Sequence, residues 1–156
     1  MKQGRRQFLK SGGEISLLAL MATAGLLPDV VSSAEEWNQA AFSAKSVDDV
    51  VKLLGGSAPQ QSDQVILNGP EIAENGAVVP LEISSALPDC DSIAILIEKN
   101  PNTLAATFDI PPGTLPDIQT RVKMNETCNV YAVVKSHGKF FYAAKEIKVT
   151  LGGCGG

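Results

Sequence analysis

The chain of 156 residues contains a single histidine, a single tryptophan and three cysteines, a thin supply of groups for chemistry. With no second histidine and no cysteine pair at CxxC spacing, a zinc-type ligand set has no obvious donors. His137, between Ser136 and Gly138, reads as a solvated turn residue rather than a general base. A glycine-rich phosphate loop and a nucleophile elbow are also missing. The carboxylates do not rescue the case for an enzyme. Glu35, Glu36, Asp48 and Asp49 fit helix N-terminal charges, and Asp89 and Asp91, flanking Cys90, fit a solvated loop. Basic excess is lacking as well: 13 Lys and Arg against 17 Asp and Glu leave a net charge of −4. That balance excludes the electrostatic footprint of a nucleic-acid or anionic-membrane binder. No catalytic residue, no metal site and no cofactor is expected.

Long hydrophobic runs are scarce too. The apolar stretch from Ile15 to Leu27 is too short, and too rich in small and polar residues, to anchor in a bilayer. It follows the basic segment Gly4-Arg5-Arg6-Gln7-Phe8-Leu9-Lys10. Arg5 and Arg6, with Phe8 and Lys10 behind them, match the twin-arginine export signal. An ordinary secretory signal with two adjacent arginines is the alternative. Ser32-Ser33-Ala34 offers small residues at −3 and −1, so cleavage is expected after Ala34. The protein is then expected in the periplasm, exported already folded, with no membrane anchor after cleavage. Loss of residues 1–34 leaves 122 residues with a net charge of −6, enough for one domain with a core of its own.

What is present in the remaining chain is mostly strand. Residues 35–56 read as short helices: Trp37, Ala40, Ala41 and Phe42 suit an amphipathic turn or two. Ser46 with Asp49 three residues on resembles a capping box, and Val47, Val50, Val51 and Leu54 give one buried helical face. Gly55-Gly56 ends that helix, and Ser57 to Asp63 reads as a polar linker. Beyond an Asn75-Gly76 turn, strands are expected over 77–84, 92–98, 104–110, 118–124, 129–135 and 139–149, the last two forming a hairpin across Ser136-His137-Gly138. Strands at this spacing with no helix between them indicate an all-β, antiparallel sandwich over residues 57–150. Within Phe140-Phe141-Tyr142, Phe140 and Tyr142 share one face of their strand and Phe141 takes the other. The cluster suits either a sheet packed on both sides or a subunit interface.

The cysteines leave one thiol over. Cys90 and Cys128 stand just before the strands 92–98 and 129–135. If those strands are antiparallel neighbours, their starts lie roughly 20 Å apart. That exceeds the ~7 Å Cα separation a disulfide tolerates. A bridge between the two and a pair of separate thiols both remain open. Cys154 is unpaired on either count. It sits in the terminal run Leu151-Gly152-Gly153-Cys154-Gly155-Gly156, and nothing in that run can pack into a core. Residues 151–156 read as a flexible arm with a reactive group near its end, and four residues from Thr150 to Cys154 give a reach of about 13 Å. Flanking glycines keep such an arm thin enough for a narrow channel. No cationic side chain neighbours the thiol in sequence, so its activation is better sought in a partner's active site.

Several stretches of the chain resemble the SoxY family, the sulfur carrier subunits of bacterial thiosulfate oxidation. They are the export signal, Ile97-Glu98-Lys99-Asn100-Pro101 followed by Ala105-Ala106-Thr107-Phe108, Thr120-Arg121-Val122-Lys123-Met124, and the closing Lys148-Val149-Thr150-Leu151-Gly152-Gly153-Cys154-Gly155-Gly156. The resemblance implies an immunoglobulin-like sandwich paired with a SoxZ subunit that is exported alongside it. It implies Cys154 as the covalent attachment point, carried by Gly152, Gly153, Gly155 and Gly156. The c-type cytochrome SoxXA would join the thiol oxidatively to the sulfane sulfur of thiosulfate. The di-manganese hydrolase SoxB would release sulfate, and the sulfane dehydrogenase SoxCD, where present, would oxidise the remaining sulfur. The carrier itself would catalyse nothing. Cys90 and Cys128 depart from the simplest single-thiol pattern.

Two readings of other classes compete. A terminal Gly-Gly also suits a ubiquitin-like carrier activated at its carboxylate, although ATP-dependent adenylation conflicts with export. An exported assembly or adhesion module could instead cross-link through its terminal cysteine.

Overall fold

A computed structural model of the chain describes residues 38–151. The expected export signal (1–34, with Arg5 and Arg6), the expected helix charges Glu35 and Glu36, Trp37, and the expected arm residues Gly152, Gly153, Cys154, Gly155 and Gly156 lie outside the described residues.

Two short helices come first, α1 (Gln39–Ser43) and α2 (Val47–Leu53). Asn38 caps α1 by accepting from the Ala41 N–H at 3.0 Å, and its own amide donates to Leu53 O at 2.8 Å. One side chain thus ties the start of α1 to the end of α2. Ser46 caps α2 as its spacing predicts, its hydroxyl oxygen accepting from the Asp49 N–H at 3.2 Å. The same hydroxyl donates to Asp49 Oδ2 at 2.7 Å, so Asp49 closes the cap through its side chain as well. Val50 and Val51 are buried, and Gly55, at φ +83°, turns the chain out of the helix.

Nine strands follow: β1 (Gln60–Gln61), β2 (Val65–Asn68), β3 (Ile72–Ala73), β4 (Val79–Ser85), β5 (Cys90–Ile97), β6 (Leu104–Asp109), β7 (Asp117–Val122), β8 (Cys128–Ser136) and β9 (Lys139–Val149). They form a large sheet in the order β1-β9-β8-β5-β6, with β3 also on β9, and a small sheet in the order β2-β4-β7. The fold is the expected all-β sandwich behind N-terminal helices. All pairings are antiparallel except the two-residue contacts of β1 and β3 with β9, which are parallel.

The register explains why Ser92 to Glu98 is apolar almost throughout. Ile93, Ile95 and Ile97 face the small sheet together with Val130, Ala132 and Val134 of β8, and meet Leu81 and Ile83 of β4 in the core between the sheets. Ala94 and Leu96 face the other way, against Ala41, Val50 and Val51 of the helices. The central strand is buried on both faces, so its polar positions have nowhere to go. The aromatic cluster obeys the same rule: Phe140 packs under the helices and Phe141 against the sandwich core.

The segment 57–76 departs from its sequence reading. Within the expected linker, Gln60 and Gln61 pair with Phe141 and Tyr142. Val65–Asn68, for which no strand is expected, pairs with β4 across Val65↔Ser85 to Asn68↔Glu82. Ile72 and Ala73 pair with Lys148 and Val149. The chain between β1 and β3 thereby covers the outer edge of β9, and Lys145 Nζ donates to Gly69 O across it. An unpaired edge strand of eleven residues would be a template for aggregation.

Candidate functional site

The terminal run with Cys154 follows β9 in the chain, and the last three described residues show how its start is held. Val149 N–H donates to Thr127 Oγ1 at 2.9 Å, Thr150 N–H to Ala73 O at 3.1 Å, and Thr150 Oγ1 to Glu74 O at 2.9 Å. Leu151 O accepts from the Gly76 N–H at 2.8 Å. The Asn75-Gly76 turn is itself held, since Ala77 N–H donates to Asn75 Oδ1 at 2.8 Å and Gly76 O accepts from Met124 N–H at 2.7 Å. Thr150 and Leu151 therefore belong to the body of the protein. From Leu151, only three residues lead to Cys154, a reach of about 10 Å rather than the 13 Å expected from Thr150. Exposed Ile72, Val78 and Leu151 belong to the segments that converge at this root.

The two cysteines of the body stand apart. Cys90 opens β5 and pairs with Ser136 at one end of the sheet, while Cys128 opens β8 and pairs with Ile147 at the other. Both are free thiols. Of the two open readings, separate thiols is the one the antiparallel register produces. Burial pushes both thiols above their ordinary range, with Asp91 adding to the effect at Cys90. Each is a poor nucleophile at neutral pH, because the thiolate is the reacting form.

The remaining candidates for chemistry stay dispersed. His137 occupies the β8–β9 turn at φ +49°, with its Nε2 3.4 Å from Asp89 Oδ2, both side chains largely in solvent. Asp48 and Asp49 lie in the first turn of α2. Among the described residues no group of three His, Cys, Asp or Glu could hold a metal ion. Sequence reasoning missed the clamp of Thr127, Thr150 and Gly76, whose members are far apart in the chain and carry no motif. It also missed a cavity on the outer face of the large sheet floored by Tyr131 and Tyr142. The alternation of β8 and β9 would have put the two tyrosines on one face, and only their pairing reveals that they meet.

The pattern of the family "Sulfur oxidation protein SoxY" matches residues 50–154. No curated protein matches the chain. Among solved structures, the sulfur carrier protein SoxY from Chlorobium limicola f thiosulfatophilum is similar at 36% identity with a TM-score of 0.62. The match covers 68% of this chain and 97% of that one. An engineered protein (14% identity, TM-score 0.40, 56% of this chain and 20% of that one) and the human F-spondin reeler domain (15%, 0.38, 61% and 95%) are far more distant and bear on neither fold nor function. A family match running through the central sandwich to the terminal cysteine, with a relative of that identity nearly fully covered, makes this chain a member of the SoxY family.

Proposed function

We propose that this protein is a sulfur carrier of thiosulfate oxidation that holds its cargo covalently on Cys154. The observation that carries the reading is the clamp at Thr150 and Leu151, which holds the body rigid directly before Gly152-Gly153-Cys154-Gly155-Gly156. A rooted arm presents its thiol at a defined distance from a stable surface. Glycines on both sides give it the backbone freedom to adapt to active sites of different shape. Ordering the arm at each visit costs roughly 1–2 kcal/mol per fixed residue, which favours transient encounters. With the thiols of Cys90 and Cys128 buried or half-buried and raised in pKa, Cys154 has no competitor in the body.

Loading forms an S–S bond between Cys154 Sγ and the sulfane sulfur of thiosulfate. The thiol loses its proton and two electrons pass to an acceptor, the role of the cytochrome SoxXA. Hydrolysis by SoxB then releases the sulfonate as sulfate and leaves a persulfide, which SoxCD oxidises where it is present. The carrier contributes the handle and none of the catalysis. Family membership implies Sox-system partners, and a SoxZ-type subunit is the proposed permanent one. The proposed organisation is an export signal over 1–34 read by the twin-arginine route, a helical segment over 35–56, the sandwich over 57–150, and a terminal run over 151–156 in which Leu151 is held to the body and 152–156 form the arm. The mature protein then works in the periplasm.

The test is the intact mass of wild type and Cys154→Ser purified from cells supplied with thiosulfate. Added sulfur on the wild type, absent from the variant, is the expected result. A thiocarboxylate at Gly156 would instead establish a ubiquitin-like carrier. A Cys154-dependent covalent dimer with thiosulfate oxidation untouched would establish an assembly module.

A further inference from the structure

The helices cover the outer face of the large sheet only in part. Beside the start of α2, a cavity of about 510 Å³ opens over β8 and β9. Val133, Tyr131 and Tyr142 form its floor, the two rings 6.0 Å apart between centroids and tilted by 50°. Glu98 and Asp48 supply carboxylates to its lining. Glu98 is held in place by Asn129, whose side chain and backbone N–H donate to Oε2 at 3.1 and 3.4 Å. Its charge adds to burial in pushing the Tyr131 phenol above the ordinary range, which places the carboxylate close to that ring. The lining holds one cation, Lys45, and its ammonium donates to Pro101 O and to Asn102 Oδ1 (2.8 Å).

The electrostatic character of this cavity follows from its parts. Aromatic faces carry the negative end of the ring quadrupole and attract cations. Two carboxylates add to that field, and Lys45, held on the neutral oxygens of Pro101 and Asn102, offsets one of them and leaves the lining net negative. An anion would be repelled, and a purely apolar group would strip water from the carboxylates without replacing it. The chain as a whole carries −4, so a basic partner is drawn to it over distance. The arm is no candidate occupant. Ala144, which pairs with Tyr131, lies seven residues before Leu151, or about 23 Å along the strand direction.

We propose that this cavity receives a basic side chain, an arginine guanidinium or a lysine ammonium, from a partner protein. The site goes beyond the carrier reading and does not depend on it, since its lining comes from residues 45–59, 98 and 131–142 and does not include Cys154.

Tyr131 and Tyr142 are the only tyrosines in the chain, which gives a clean reporter. In the full-length protein labelled with 3-fluorotyrosine, the fluorine spectrum holds two signals, assigned by Tyr131→Phe and Tyr142→Phe. An amidated arginine tripeptide is titrated against a citrulline tripeptide of the same length and against tetramethylammonium. Both signals are expected to shift saturably with the arginine peptide, and Glu98→Gln should raise the midpoint about two- to fivefold, the range of an exposed charge pair. Added salt should act in the same direction. An absence of shift at millimolar peptide, or an equal shift with citrulline, would overturn the proposal. Tetramethylammonium moving both signals as strongly as the peptide would assign the cavity to a small organic cation and overturn the protein-partner assignment.

Discussion

Gly56 lies where α2 meets the large sheet, and a Cβ there would come within 2.8 Å of Val51 Cγ1 and 2.9 Å of the Phe140 ring. Both neighbours are buried, so neither has free space to retreat into. Gly56→Ala is expected to cost about 1–3 kcal/mol in urea unfolding, as overpacked cores do. An unchanged midpoint would show that Phe140 gives way. Cys128 makes a second prediction through pH. Burial raises its folded pKa above the ordinary 9.0, so on alkalinisation the unfolded chain loses its proton first. The stability it contributes is complete below pH 9.0 and is lost as pH rises through the folded value. Cys90 and, from its ordinary 10.0 upward, Tyr131 act in the same direction. Melting temperature should therefore fall above that pH, and Cys128→Ala should start lower but fall less steeply. Equal slopes would remove Cys128 from the account.

At the scale of elements, α2 is too short to persist alone, with seven residues in the helix. Its cap and the burial of Val50 and Val51 hold it. Ser46→Ala removes the acceptor for the Asp49 N–H and should cost about 1 kcal/mol by thermal or urea unfolding, while Ser46→Asp should retain most of it. Equal losses from both variants would show that the cap is not what holds the helix. The legible elements were those with a strong local period. The capped helix could be read from Ser46, Asp49 and its four apolar positions, and β4 to β9 from runs of six residues or more. β1 and β3, two residues each, and β2, four, show no period of their own. Ile66 is exposed between Val65 and Leu67, yet all three are apolar, so alternation is hidden in composition.

For the whole molecule, the clamp on Thr150 and Leu151 fixes the point from which the proposed arm starts. Deleting Gly152 and Gly153 should draw Cys154 about 7 Å toward the body. Loading with thiosulfate by the partner enzymes is expected to drop by about tenfold or more, because misplacement of a reacting atom by even an ångström is costly. The unfolding midpoint should not move, since neither glycine belongs to the rooted strand. Loading that persists at the wild-type rate would mean that reach is not what the arm provides.

The sequence by itself led to the expectation of a thiol handle on a glycine arm, of an export signal ahead of it and of few groups for catalysis. It also determined the two-sheet fold, because these are properties of composition and of local alternation. Tertiary structure decided which distant segments meet. It placed β1 and β3 on the edge of β9 and β2 on β4, separated Cys90 from Cys128 by the antiparallel register, and joined two tyrosines from different strands over one cavity. It also anchored Thr150 to Ala73 and Glu74 and Leu151 to Gly76, so that Leu151, expected to open the arm, is held to the body. Contacts between residues far apart in the chain depend on register and sheet order, which no local pattern encodes. Cys154 could be proposed as a thiol handle from the sequence, and the hold on Leu151 three residues before it could not.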